Sequence, residues 1–337
     1  MKYKQLGNTG LLVSELCFGA MTFGGRGFWE VIGQQGQDVA NNLVAQALEA
    51  GINFFDTANV YSEGQSEQIL GQALAKRRHE VVVATKVRGR MSDQPNGNGL
   101  SRVHMMDQVN QSLERLGTDY IDLYQIHGFD ALTPFDEILR TMDDLVTMGK
   151  VRYIGCSNLA AWQLMKAIGR SEQHNWVRFE SLQAYYTIVG RDLERELAPL
   201  LKDQKLGLMV WSPLAGGLLT DKFHQNQQGP EGARRASFDF PPVNRDRMPG
   251  VLDGLAEVAQ NHDGSIAQIA LAWLLHQDVV TSVIVGAKNA EQLADNLKAP
   301  DITLSAADLA RLDEVSALPP EYPGWMINRQ GADRKAS

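Results

Sequence analysis

Cysteine is scarce. Only two occur among 337 residues, Cys17 and Cys156, and each sits in an apolar, strand-like run. Two such residues build no disulfide framework and read as reduced side chains packed in a core. Positive charge is also in deficit: 32 Lys and Arg face 40 Asp and Glu, a formal net charge of −8. That balance argues against nucleic acid or an anionic membrane as partner. Long hydrophobic runs are missing as well. IALAWLL (269–275) falls far short of the ~18 apolar residues of a membrane span and reads as a core helix. The opening MKYKQLGNTG lacks the apolar region of a secretory signal, so a cytoplasmic protein is expected. No G-x-G-x-x-G follows a strand, no P-loop signature occurs, and no H-x-H or H-E-x-x-H spacing is present. These absences exclude Rossmann and Walker nucleotide sites and a metal-dependent hydrolase, and no metal is expected.

What is present is alternation. Eight short apolar runs read as strands: ELCFG (15–19), NFFDT (53–57), VVVATK (81–86), YIDLYQIH (120–127), VRYIGCSN (151–158), SLQAYY (181–186), LGLMVWSP (206–213) and TSVIVGA (281–287). Amphipathic stretches lie between them, such as 38–51 and 108–117, and both of these end on glycine, a helix stop signal. Strand–helix alternation implies parallel strands with right-handed crossovers, and eight units imply a closed (β/α)₈ TIM barrel with its active site at the C-terminal rim. With no Pro/Ser linker and no further repeat, residues 1–337 are expected to form one barrel domain. A polar loop at about 221–250 and a C-terminal tail at about 317–337 interrupt the pattern.

Three consecutive strands end in polar residues: Asp56, Lys86 and His127. Neighbouring strands lie about 4.7–4.9 Å apart, so Asp56 and Lys86 are placed to pair. An acid at the end of an apolar strand needs such a partner, because burying an unpaired charge costs several kcal/mol or neutralises the group. Tyr61, in the loop after Asp56, is placed to fold back over the pair. A phenol beside a desolvated ammonium has its charged form favoured, so its pKa is expected to fall from about 10 toward neutrality. Such a tyrosine donates a proton at neutral pH, and a neutral His127 hydrogen-bonds the same carbonyl oxygen. Taken singly, each residue has a plainer reading: a structural ion pair, a rim histidine, a loop tyrosine. Further on, Gly216 and Gly217 permit close backbone approach and Trp211 offers a flat face to a heterocycle. Lys288, Gln292 and Asn296 recur every four residues, which on a helix puts them on one face, either a ligand face or a solvated one.

FFDTANVYSEGQSEQILGQAL (54–74), VVVATK (81–86), DLYQIHGFD (122–130) and IGCSN (154–158) resemble the aldo-keto reductase superfamily. The likeness runs from LGNTGLLVSELCFGAMTFGG (6–25) to VGAKNAEQLADNL (285–297), nearly the whole chain. The resemblance implies a barrel that reduces aldehydes and ketones with NADPH. It implies Tyr61 as general acid, Lys86 lowering its pKa, Asp56 holding Lys86, and His127 orienting the carbonyl. It also implies Ser157, Asn158 and Gln183 at the nicotinamide carboxamide, with Trp211 stacked on the ring. Ser212, Leu214, Gly216 and Leu218 would border the pyrophosphate. Gly286, Lys288, Gln292 and Asn296 would hold the adenosine half, with Lys288 on the 2′-phosphate. Asp221 stands where relatives commonly carry glycine, and an acid there is expected to point away from phosphate.

The implied partner is a small carbonyl substrate, met by an aromatic mouth of Phe23, Phe28, Trp29, Phe129 and the tail residues Tyr322 and Trp325. No arginine cluster demands a phosphorylated or dicarboxylic substrate, while Arg88 and Arg90, just past Lys86, leave an acidic group open. Two rivals remain: a cofactor-binding regulatory subunit, as some family members are for channels, and a Schiff-base aldolase using Lys86.

Overall fold

A computed structural model describes residues 1–225, 235 and 238–332 of the chain. Two short strands come first, β1 (Tyr3–Gln5) and β2 (Leu12–Ser14), followed by β3 (Leu16–Gly19), β4 (Phe54–Asp56), β5 (Val82–Val87), β6 (Ile121–Ile126), β7 (Val151–Ser157), β8 (Phe179–Tyr185), β9 (Gly207–Trp211) and β10 (Val280–Val285). The eight from β3 to β10 are parallel and close into a barrel, with β10 pairing both β3 and β9. All eight strands expected from the sequence are present, each within two residues of its expected limits.

Strand periodicity sorts the side chains. Phe54, Val82, Ala84, Leu123 and Met209 fill the barrel with Cys17. Their neighbours Phe55, Val83, Tyr124 and Val210 join the outer layer beneath the helices. Carrying the same parity to the strand ends turns Asp56, Lys86 and Gln125 inward, directly above the apolar filling. The register aligns them: Asp56 pairs with Ala84, and Lys86 with Gln125.

The antiparallel β1–β2 hairpin was not foreseen. Its strands are three residues each, with Tyr3 and Leu12 half exposed, so they lack an apolar run to betray them. It closes the floor of the barrel with the fully buried Leu6. The turn demands Gly7: its φ is +59°, and a Cβ would stand 2.1 Å from the Glu180 carbonyl oxygen.

The helices follow local signals. Helices α1 (Gln37–Glu49), α2 (Gln65–Leu74), α3 (Arg102–Leu116), α4 (Phe135–Thr147), α5 (Ala161–His174) and α6 (Leu193–Asp203) surround the first part of the barrel. Ser101 caps α3 and Gly117 stops it in the left-handed region. Between β9 and β10 lie α7 (Asp221–Gln225), α8 (Met248–Asn261) and α9 (Ile266–Leu275). The run IALAWLL falls in α9, whose residues from Ile266 to Leu274 are all buried. Helices α10 (Ala290–Asn296), α11 (Ala306–Ser316) and α12 (Gly324–Gly331) follow β10. The stretch expected as a loop at 221–250 thus opens and closes in helix, while 226–234, 236 and 237 lie outside the described residues. The expected tail carries α12, and 333–337 lie outside the description. Among the described residues no helix is long and apolar enough to cross a membrane.

Candidate active site

At the C-terminal rim Asp56, Lys86 and Tyr61 form one connected cluster. The Lys86 ammonium donates to Asp56 Oδ2 at 2.5 Å, to the Thr57 carbonyl at 2.8 Å and to Tyr61 Oη at 3.4 Å. Those three bonds use all three ammonium protons, which makes a fully buried lysine tolerable. The other Asp56 oxygen accepts from Gln183 at 2.8 Å and from Gln125 at 3.2 Å. Tyr61 is held by a turn in which Ser62, Glu63 and Gly64 all take positive φ (49°, 55° and 93°). Two of these are not glycine, so backbone strain is stored beside the phenol. The turn is tied down by Ser62 Oγ donating to the Phe23 carbonyl at 2.9 Å.

His127 stands one residue past β6, its main-chain N–H donating to the Val87 carbonyl at 2.9 Å. Its ring centroid is 5.7 Å from that of Tyr61. Burial, Lys86 and Arg88 together pull its pKa down to about 3, so the imidazole is neutral at physiological pH. Lys86 is the opposite case: burial alone would lower it, but Asp56 and Tyr61 outweigh burial and hold it above its ordinary value. Tyr61 departs from expectation. Burial raises its pKa and the nearby Lys86 only partly offsets that, so the phenol stays protonated rather than falling toward neutrality. The sequence argument counted the ammonium and omitted the dry surroundings.

Aromatic side chains ring the mouth. Trp29 meets Tyr61 edge-on at 4.9 Å, and Phe28 meets Phe238 at 5.2 Å across the rim. Phe238 continues to Phe240 at 5.5 Å, and Phe240 lies parallel to Trp211 at 5.8 Å. Of the other expected mouth residues, Phe23 is a fully buried core residue against Phe18, and Phe129 packs against Phe135 and Trp162.

The residues expected at a cofactor lie on the β7–β10 side. Ser157 donates to the Gln183 carbonyl at 2.9 Å. Asn158, in the left-handed region, donates to the His127 carbonyl at 3.3 Å and accepts from the Trp211 indole at 3.0 Å. Ser212 Oγ accepts from Gly216 N–H at 3.0 Å, and Leu214 precedes the tight turn Ala215–Gly217. Gly216 and Gly217 have φ of 69° and 95°, and Gly217 has nothing within 4 Å of its missing Cβ. Leu218 is fully buried, a packing residue beneath that turn. Gly286 and Lys288 are exposed past β10. Asp221 is exposed at the start of α7, where an acid suits the helix dipole.

One placement is corrected. Lys288 is not on the helix face: Asn289 caps α10, accepting from the Gln292 N–H at 2.9 Å, and the helix begins at Ala290. Gln292 and Asn296 do share the helix, but Gln292 turns back to accept from the Lys288 N–H at 2.9 Å, and Asn296 is buried. An Asn three residues before a Gln is the capping signal that would have revealed this. Two participants were also missed. Gln125 holds Asp56, and strand parity from Leu123 marks it as an inward polar residue. Tyr185 packs on Trp211 at 5.0 Å and shares that parity with Gln183.

Known proteins are similar in sequence to this chain over almost its full length. YrpG of Bacillus subtilis (strain 168), named an uncharacterized oxidoreductase, is 37% identical over 340 residues, covering 96% of this chain and 100% of the relative. The versiconal hemiacetal acetate reductase of Aspergillus parasiticus is 32% identical, covering 96% and 99%. An Arabidopsis thaliana protein named a probable voltage-gated potassium channel subunit beta is 35% identical, also covering 96% and 99%. The profile of the aldo/keto reductase family matches residues 15–317, and with a closed eight-stranded barrel carrying Asp56, Lys86, Tyr61 and His127 at its rim, the chain belongs to that family.

Proposed function

We propose that the chain acts as one barrel unit that reduces aldehydes and ketones to alcohols with NADPH. The observation carrying this reading is a protonated phenol bonded to a fully charged, buried lysine and set beside a neutral imidazole. A carbonyl oxygen placed between Tyr61 and His127 accepts two hydrogen bonds, which favour negative charge developing there. Tyr61 then donates its proton to that oxygen. Lys86 stabilises the phenolate left behind, and Asp56, fixed by Gln125 and Gln183, keeps Lys86 charged and aimed. His127, too weak a base to carry a proton, orients the carbonyl and gives a hydrogen bond only.

Reduced nicotinamide, when bound, supplies the hydride. The residues present fit it: Trp211 and Tyr185 bring aromatic rings, Ser157 a hydroxyl and Asn158 an amide, and Gly217 has open space where a Cβ would stand. The exposed Lys288, which makes no ion pair among the described residues, favours the 2′-phosphate of NADPH. An aldolase reading fits less well, because a Schiff-base lysine must lose the proton that Asp56 and Tyr61 hold on Lys86. The Arabidopsis relative supports a second reading, a cofactor-binding regulatory subunit.

The test is loss of reduced-nicotinamide absorbance with 4-nitrobenzaldehyde, run with NADPH and NADH. NADPH should be consumed faster, and Tyr61→Phe should lose roughly 10²–10⁴-fold in turnover while keeping its NADPH affinity. Unchanged turnover in that variant removes Tyr61 from the mechanism. Tight NADPH binding with no turnover of any aldehyde favours the regulatory reading.

A further inference from the structure

Arg88 follows the last residue of β5, two places beyond Lys86, and has φ of 144°, a backbone region that side-chain-bearing residues rarely adopt. Strain of this kind persists where the surroundings over-determine it, and it gathers at functional sites. Here the surroundings are specific. The Arg88 carbonyl accepts from Gly99 N–H at 3.0 Å, and its Nε donates to the Phe129 carbonyl at 2.8 Å. Gly89 has no room for a Cβ, which would sit 2.5 Å from Cβ of Val60, the neighbour of Tyr61. The Arg88 stem runs alongside Gly128, the neighbour of His127, its Cδ 3.6 Å from where a Cβ would be. The Arg88–Gly89 pair thus lies between the two segments that carry Tyr61 and His127, Gly89 against Val60 and Arg88 against Gly128 and Phe129.

Its guanidinium is exposed and forms no ion pair among the described residues. The nearest candidate acid is already engaged: Asp130 accepts from Leu100 N–H, Leu132 N–H and Thr133 Oγ. Both Nη groups therefore remain for a ligand, on a chain whose net charge is −8. Strands β5 and β6 lie opposite β9 and β10 in the closed order, so Arg88 stands across the rim from the residues proposed above to hold the cofactor phosphates. A guanidinium presents a planar fork that matches a carboxylate.

We propose that Arg88 is a specificity-determining residue that binds an anionic group, most simply a carboxylate, on the carbonyl substrate. The proposal rests on the reductase reading for its reaction but not for its binding. The test compares 3- and 4-formylbenzoate with the matching formylbenzamides, which differ chiefly in charge. Binding is read by tryptophan fluorescence without cofactor, and kcat/KM by NADPH consumption, in the parent and in Arg88→Gln, Arg88→Lys and Arg88→Gly.

The parent should bind one of the carboxylates at least tenfold more tightly than its amide and show the same preference in kcat/KM. Arg88→Gln should lose the preference and leave the amide within twofold, and Arg88→Lys should keep part of it. Arg88→Gly should unfold at a higher temperature, since glycine adopts this backbone freely, yet lose the preference as Gln does. Equal binding of acid and amide by the parent overturns the proposal. So does an equal loss on both substrates with a shifted pH profile, which would mean that Arg88 acts only through His127. Charge-selective binding without any turnover would support the Arg88 site and overturn the reductase reading instead.

Discussion

On the β4–β6 side of the rim, the Lys86 protons are taken by Asp56, Thr57 and Tyr61, and the Asp56 oxygens by Lys86, Gln125 and Gln183. On the β9–β10 side, Lys288 and Gly286 are exposed, and the Ala215–Gly217 turn is shaped by left-handed backbone. One half is a set of buried side chains locked to one another, and the other is exposed loop and helix-end surface. Proton transfer needs donors fixed to fractions of an ångström, which a closed sheet provides. The dinucleotide proposed above needs exposed surface, which loops provide. The two halves should therefore fail differently.

The locked half should show the largest effect. Lys86→Met leaves Asp56 buried with only the two glutamine amides, and breaking a buried pair on one side costs about 3–5 kcal/mol. Thermal unfolding should fall sharply and turnover should vanish. Adding Asp56→Leu should recover much of the stability, since an apolar replacement of both partners is often neutral, but none of the activity. If the double variant stays as unstable as the single one, the ion pair is not what holds this part of the rim together.

The open half should be mild in stability and selective in function. Lys288→Glu should leave the unfolding temperature within a degree or two, because the residue is exposed and unpaired among the described residues. It should weaken NADPH binding by roughly tenfold, a ~1.4 kcal/mol effect, and leave NADH nearly unchanged. Equal losses for both cofactors would show that Lys288 does not read the 2′-phosphate.

The same contrast governs how much the sequence disclosed. The barrel and the Asp56–Lys86 pair were legible because strand parity and spacing fix where an inward polar residue goes. His127 was read as the polar end of the next strand, and Tyr61 was reached by adding a short loop to that frame. The other side obeys no such period. Lys288 looked helical by its four-residue spacing, yet one side chain, Asn289, starts the helix after it. Phe240 stacks on Trp211 from a distant loop, a contact written in no local pattern. The β1–β2 hairpin hid because its strands are too short and too exposed to carry an apolar signature. The error on Tyr61 was of a different kind: the partner was right, and the burial that opposes it was left out.

The last expected effect concerns His127 and pH. Its folded pKa lies near 3, below the ~6.5 of an unfolded histidine. Between those values the unfolded chain binds a proton that the folded chain refuses, so stability is lost as pH falls from about 6.5 toward 3, and this contribution is flat above 6.5. At pH 5 the loss from this residue alone is about 2 kcal/mol, taking ~1.4 kcal/mol per unit. Urea unfolding of the parent at pH 7 and pH 5 should show that difference shrinking in His127→Gln, which has nothing to titrate. Activity should behave otherwise. The imidazole of the folded protein stays neutral from pH 5 to 8, so kcat/KM for reduction should show no histidine limb in that range. A limb near 6.5 that disappears in His127→Gln would mean that His127 is solvated and protonated in the working enzyme, and the locked half of the rim would then be open to water.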